Sequence, residues 1–504
     1  MLEEIRDWIN GQGTHGDTQA FLLLGPAGIG KSAILHRIAE ECNTAQRLAA
    51  SFCFSPDRGV DNFFRTIARS IAALDSRFAS VVAAVTAQDP TLQHTTVLSS
   101  QIKYLLLEPF ESLSIVGTIV IVIDALDECH SERRDELVQC LYHYLPSFPK
   151  NIRFLITSRP SEAKVLSEVS WIHACLLNTA TTNDLHMFVE HQLTDCWTGN
   201  LLQGFGKPEV QKIISAAEGL FQHAYVVCKE IRNADKDKWE NPLAVFNDLI
   251  TNGSRGLDGL YSHILSNAYS IFLHDTSIQE VPPKLMHFRK VMGWILYAQG
   301  RLSQQILLEF GSTDLSSAKS HSNKGYGPVA GVLKPLAALL SGTENNAGKV
   351  YPLHSSFRDF LTREECSGPF YIGSELTHHA DIATICLKVM KQELHFNMAN
   401  LQSSYILNCD VPDFLAQVNA GISQGLSYAC RNWALHLEMS HRTETEFVGT
   451  QMVSNLLQGS FIFYLEVLSL EQETEKAVST HTFLMNWTTV SSLLTSEIYS
   501  NILV

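Results

Sequence analysis

What the chain lacks narrows its class first. Its eleven cysteines are scattered, odd in number and never spaced as CxxC, which argues against a disulfide framework and for reduced thiols inside a cell. No apolar run reaches the roughly 20 residues that cross a bilayer; GTIVIVIDAL (117–126) and VAGVLKPLAALLSG (329–342) both fall short. The N-terminus, MLEEIRDWIN, is charged and amphipathic rather than a signal peptide. Basic residues are scarce: 37 Lys and Arg against 52 Asp and Glu leave a net charge of −15. That balance argues against nucleic acid as the main partner, while leaving room for a local basic patch. No repeat with a period of roughly 20–50 residues recurs. With 45% hydrophobic and 18% charged residues, disorder is a poor reading for most of the length. The expectation is a soluble, cytoplasmic protein with no membrane partner, its 504 residues dividing into about three or four domains.

Five short apolar runs stand out: 21–24 FLLL, 48–54 LAASFCF, 119–124 IVIVID, 153–158 RFLITS and 172–177 IHACLL. Longer segments with helical spacing, such as KSAILHRIAEEC and RDELVQCLYHYL, lie between them. Continuous apolar strands alternating with helices predict an α/β fold with a five-stranded parallel sheet covered on both faces. Ligands in such sheets sit at the carboxyl ends of strands. Directly after the first run comes Gly25-Pro26-Ala27-Gly28-Ile29-Gly30-Lys31-Ser32, which matches GxxxxGK[ST]. Glycines let the backbone curl so that its N–H groups face one concavity. The following helix adds its N-terminal dipole. In that arrangement Lys31 reaches the β and γ phosphates and the Ser32 hydroxyl ligates Mg²⁺. The competing reading is a chance glycine turn, which the placement between strand and helix disfavours.

After the third run comes Asp124-Ala125-Leu126-Asp127-Glu128. An Asp closing a buried strand suits Mg²⁺, held directly or through water. Ala125 is small enough to let the backbone pass close to phosphates, and Asp127 or Glu128 can polarise an attacking water. A solvated acidic turn is the alternative. After the fourth run comes Thr157-Ser158-Arg159-Pro160. With the fourth strand between the first and third, Arg159 is a candidate γ-phosphate sensor and Thr157 a candidate polar contact; a strand-end Arg in solvent is the alternative.

These motifs together resemble the NACHT family of STAND ATPases, signalling switches related to AAA+ proteins. The resemblance rests on FLLLGPAGIGKSAIL, IVIVIDALDEC and RFLITSRP. It continues through AAEGLFQHAYVVCKEI (216–231), GLDGLYSHIL (256–265), LHSSFRDFL (353–361), LHFNMANLQSSYILNCDVPDF (394–414) and LSYACRNWALHL (426–437). The downstream phrases narrow it to the fungal, NLR-like group with a nephrocystin-like N-terminal segment. The resemblance implies ATP or ADP with Mg²⁺, an ADP-locked and an ATP-open state, slow hydrolysis at most, and a homo-oligomer on activation. It also implies that His354 meets the β-phosphate of ADP; taken alone, His354 reads as a structural histidine. Two departures stand out. The adenine-holding segment usual just before the helix read from MLEEIRDWI is missing, and so are the family's N-terminal effector and C-terminal repeat sensor. The sequence therefore reads as the core of a larger receptor, a truncated product or a short paralogue.

Helical patterns take over from about residue 178. The expected division is a P-loop nucleotide-binding domain over 1–177, a helical domain over 178–282, a winged-helix module over 283–365 and an all-helical region over 366–504. The polar turn SGTENNAGK (341–349) is the expected wing. His378-His379-Ala380-Asp381 has a metal-like composition, but adjacent helical histidines diverge, so no metal is expected there. NKGY (323–326) lacks the Asp of a guanine reader, and no basic cluster follows the core as a kinase lid would need. A scaffold with a relic P-loop is the remaining alternative to the switch.

Overall fold

All five apolar runs form strands in the computed structural model: β1 (Ala20–Leu24), β2 (Leu48–Cys53), β3 (Ile119–Asp124), β4 (Ile152–Ser158) and β5 (Ile172–Leu176). The structure describes residues 1–490 apart from 56–58, 114–116, 130, 178–179, 199–205, 237–240, 254–255, 270–282, 315–327, 344–347, 404 and 441–449; NKGY and part of the expected wing lie outside that set. The strands are parallel and ordered β2-β3-β4-β1-β5. Thus β4 runs between β1 and β3, the order the sequence reading assumed. Leu24 pairs with Ser158 and with Leu176, and Cys53 pairs with Asp124. The segments leaving β1, β3 and β4 therefore emerge along one edge.

The runs are continuously apolar because each face has its own core. Phe21, Leu23, Val120, Val122 and Leu155 pack with Ile5, Trp8, Leu35 and Ile38. Their alternates Leu22, Ile121, Ile123, Phe154 and Ile156 pack with Phe63, Phe64, Ile67, Leu137 and Leu141. Period-two alternation is thus preserved, with both sides dry. Arg153 is the exception inside β4. Its guanidinium donates to the carbonyls of Trp8 and Gly16 and lies 5.2 Å from the Trp8 ring centroid. A buried cation here is held through its two terminal nitrogens by main-chain acceptors rather than by a carboxylate, its Nε bonding no acceptor among the described residues.

The chain divides into two units, Met1–Leu260 and Tyr261–Val504. Beyond the sheet, the first is helical, including Thr182–Thr198, Lys207–Ala217, Phe221–Lys236 and Pro242–Asn252. The second opens with the latter part of the helix Gly256–Tyr269, followed by the helices Pro283–Tyr297, Gln304–Asp314 and Pro328–Leu333. An antiparallel pair, β6 (Leu340–Ser341) and β7 (Tyr351–Pro352), follows, then the helix Ser355–Thr362. That is the element order expected of a winged helix. Farther on, Glu375–Glu393 and Gln424–Ser440 form the central helix pair of this unit. The region 366–504 is helical as expected, with one irregular stretch: between Leu394 and Asp413 the described residues hold no α-helix. Asn397, Asn400 and Asp413 adopt left-handed backbone there, with φ of 59°, 50° and 52°, which side chains of Asn and Asp tolerate and a helix does not. No single helix among the described residues is long and apolar enough to cross a membrane.

Candidate phosphate and metal site

The loop 25–32 owes its shape to its glycines. Gly28 and Gly30 have φ of +80° and +100°, and Gly30 caps the helix Lys31–Thr44. Gly25 and Ile29 are buried, Pro26 is exposed, and Ala27, Gly28 and Gly30 are intermediate; buried Ile29 pins the loop to the protein while its polar backbone curls. The helix that follows presents its unpaired first-turn N–H groups to the same space. The Lys31 ammonium folds back over the loop and donates to the carbonyls of Gly25 (2.8 Å) and Pro26 (3.0 Å). Burial lowers the Lys31 pKa; the charges of Asp127, Asp124 and Glu128 oppose that shift, and Arg159 adds to it. One partly desolvated cation thus faces three carboxylates and a second cation.

The carboxylate ending β3 is tightly held. Asp124 Oδ1 accepts from Ser32 Oγ at 3.1 Å and from Thr157 Oγ1 at 2.5 Å, while Cys53 Sγ approaches Oδ2 at 3.7 Å. Ala125 leaves the strand with φ +55° and donates its N–H to Thr157 Oγ1 at 2.8 Å. The short turn Leu126–Glu128 follows, closed by the Glu128 N–H on the Ala125 carbonyl. Within it Asp127 is nearly buried and forms an ion pair with Arg159, Nε to Oδ2 2.8 Å. Arg134 also donates to the Asp127 carbonyl at 3.3 Å. The candidate sensor and a candidate water-polarising acid are therefore partners of each other. Glu128 is half-buried beside them.

His354 belongs to the second unit. It is the N-cap of the helix Ser355–Thr362, its Nδ1 accepting the Ser356 N–H at 3.1 Å. Ser356 Oγ lies 2.8 Å from the same nitrogen and 2.9 Å from the Tyr261 hydroxyl. The structural reading of His354 therefore has a concrete content: it caps a helix. A ring whose Nδ1 accepts carries its neutral proton on Nε2. The His378–His379 pair holds no metal cluster among the described residues. His378 Nε2 bonds the Ile372 carbonyl at 2.7 Å, and His379 Nδ1 bonds His436 Nδ1 at 2.8 Å.

Two contacts at the loop have no counterpart in the sequence reading. The N–H of Gln222 donates to the Gly28 carbonyl at 3.1 Å, and the Phe221 ring lies 3.3 Å from where a side chain on Gly30 would begin. The helix Phe221–Lys236 thus starts against the phosphate loop. The turn Glu218-Gly219, with φ of 49° and 87°, aims it there. A Cβ on Gly28 would stand 2.6 Å from Gln222 Cβ, on a backbone that L side chains rarely adopt. Gly28→Ala is expected to cost about 1–3 kcal/mol and lower the midpoint of thermal unfolding by several degrees. An unchanged melting curve would show that the loop does not need this close approach.

Comparison with known proteins follows this geometry. Residues 2–159 match the family described as Nephrocystin 3, N-terminal, so the nephrocystin-like recognition holds over that segment. A STAND protein with a tetratricopeptide repeat sensor from Pyrococcus horikoshii aligns over 97% of this chain and 64% of its own, at 12% identity and a TM-score of 0.36. This chain thus spans under two thirds of that protein's length. RuvB from Thermotoga maritima aligns over 71% of this chain and 91% of its own, at 13% identity and a TM-score of 0.27. Cdc6p from Pyrobaculum aerophilum does so over 70% and 89%, at 12% and 0.29. No curated protein matches the chain.

Proposed function

We propose that the chain is a nucleotide-dependent switch of the NACHT/STAND class that binds ATP and ADP with Mg²⁺ at the carboxyl edge of β1, β3 and β4. The observation that carries this reading is the convergence of Lys31, Ser32, Asp124, Asp127 and Arg159 from three distant segments on that edge, linked by the Ser32–Asp124 and Asp127–Arg159 contacts. The residues fit the cofactor. The Ser32 hydroxyl and the Asp124 carboxylate are hard oxygen donors of the kind Mg²⁺ takes, the remainder of its shell being phosphate and water. When bound, Mg²⁺ would supply charge neutralisation on the polyphosphate.

The protein's own groups then have distinct tasks. The amides of residues 27–30 and of the first helical turn hold the phosphates, and Lys31 exchanges its loop carbonyls for phosphate oxygens. Arg159 distinguishes ATP from ADP by leaving Asp127 for the γ-phosphate; a ligand shifts a switch only by such a difference in contacts. Asp127, so released, and Glu128 hold a water and take its proton in slow hydrolysis. His354 reads the β-phosphate of ADP through Nε2–H, on the strength of the resemblance. The division at 177, 282 and 365, homo-oligomerisation on activation, a fungal receptor core and cytoplasmic residence belong to the same proposal.

The test is the nucleotide content of freshly purified protein, released by denaturation and resolved by ion exchange. Near-stoichiometric ADP is the expected result. A protein that carries none and takes up neither ATP nor ADP with Mg²⁺ is instead a nucleotide-independent scaffold.

A further inference from the structure

The hydrogen bonds around Asp124 have an unusual feature. The group that organises them touches neither loop nor solvent. Thr157 is fully buried, with no accessible surface. Its hydroxyl has one proton and spends it on Asp124 Oδ1 at 2.5 Å; its lone pair accepts the Ala125 N–H at 2.8 Å. Donor and acceptor directions are unambiguous, because an amide can only donate and an ionised carboxylate can only accept.

Resting on the nucleotide reading, we infer that Thr157 is the positioning residue of the Mg²⁺ site, fixing Asp124 so that its carboxylate faces Ser32. A terminal carboxylate torsion is broad and two-fold. Left alone, Asp124 has no reason to keep Oδ1 where Ser32 Oγ finds it at 3.1 Å. Thr157 supplies that reason. Its β-branched side chain has little χ1 freedom on a strand, and β4 is the direct neighbour of β3. The same hydroxyl also holds Ala125 in its left-handed conformation, φ +55°. That conformation is strained for a non-glycine residue and turns the chain sharply off the strand. One hydroxyl therefore sets both the orientation of the metal-side carboxylate and the start of the turn carrying Asp127.

The readout is the dissociation constant of a fluorescent ADP analogue measured in Mg²⁺ and in EDTA, for wild type, Thr157→Val and Thr157→Ser. The ratio of the EDTA constant to the Mg²⁺ constant isolates the metal-dependent part of binding. Outer-shell partners of metal ligands are typically worth about 10–100-fold. Thr157→Val is therefore expected to lower the ratio about tenfold or more with the EDTA value little changed, and Thr157→Ser to restore most of it. Should Thr157→Val fail to fold, Thr157→Ala takes its place with the same expectation. A ratio in Thr157→Val, or in Thr157→Ala where it takes its place, equal to that of wild type overturns the inference while leaving the nucleotide reading intact. Wild type that binds no ADP under either condition overturns both.

Discussion

Lys31→Ala is expected to weaken binding of ATP and ADP about 10- to 100-fold while leaving the fold unchanged. The Nζ of Lys31 makes two hydrogen bonds, both to carbonyls of its own loop. Those are replaceable acceptors, and a phosphate oxygen offers a charged one. A hydrogen bond between charged partners contributes about 1.5–3 kcal/mol net, which is about one to two decades of affinity. The surroundings push the same way. The charges of Asp127, Asp124 and Glu128 raise the Lys31 pKa and that of Arg159 lowers it. Removing the lysine leaves three carboxylates against one guanidinium, and a polyphosphate then meets net repulsion. Stability is not expected to follow, because Lys31 is the first residue of its helix and alanine is a good helix former. Titration calorimetry with both nucleotides, beside a melting curve, checks this. A variant that binds as wild type does would leave the glycine loop a relic and favour the scaffold.

The sheet was legible because its burial is two-sided. Runs such as IVIVID need no alternation to be read when both faces are dry, and the observed strands start or end within a residue of the apolar runs. The phosphate loop was legible because its spacing is local: every residue from Gly25 to Ser32 serves one concavity. What escaped reading is what depends on partners distant in sequence. Arg153 sits in the run RFLITS without any mark that its acceptors are the carbonyls of Trp8 and Gly16. Arg159 and Asp127 were each assigned a role, yet nothing in their spacing says that they pair. Thr157 reads as a candidate polar contact at its strand end, yet nothing in the sequence says that its hydroxyl lies between Asp124 and Ala125. The start of the helix Phe221–Lys236 meets Gly28 and Gly30 across nearly two hundred residues, and hydrophobic periodicity carries no such information.

The histidines of the second unit show what such a pairing does to stability, and they yield the other large expected effect. Lowering pH from 7 to 5 is expected to destabilise this unit by about 2 kcal/mol or more, before any ordinary carboxylate titrates. His436 is fully buried between two partners. The Gln299 N–H donates to the Tyr428 hydroxyl oxygen at 2.8 Å, so that hydroxyl gives its proton to His436 Nε2, also at 2.8 Å. Neutral His436 then carries its proton on Nδ1 and donates it to His379 Nδ1 at 2.8 Å. His379 is left with Nε2–H, 3.5 Å from the Glu375 carboxylate. The wire runs one way, and a second proton on His436 Nε2 would take from the Tyr428 hydroxyl proton its acceptor. Burial, reinforced by the neighbouring His379, accordingly pushes His436 down to about 3, and burial also lowers His378.

The sign follows from where the extra proton binds. Below about 6.5 the unfolded histidine takes it up and the folded one does not, so stability falls as pH falls, by about 1.4 kcal/mol per pH unit per histidine. The window runs from about 6.5 down to the folded value of about 3 for His436. Carboxylates held low, such as Glu41 beside Arg6 and Asp75 beside Arg77, both near 2, contribute stability that is lost only below about 4. Asp381, raised by burial, acts in the opposite sense and sets in nearer the ordinary carboxylate range. Urea unfolding at pH 7, 6 and 5, followed by tryptophan fluorescence of Trp294 and Trp433 in this unit, checks the slope. His436→Gln should be less stable at pH 7 and shallower in its pH dependence, because glutamine can bridge the wire without titrating. A wild-type midpoint that stays flat from pH 7 to 5, or a variant with the same slope as wild type, would mean that the buried histidines do not set the acid response.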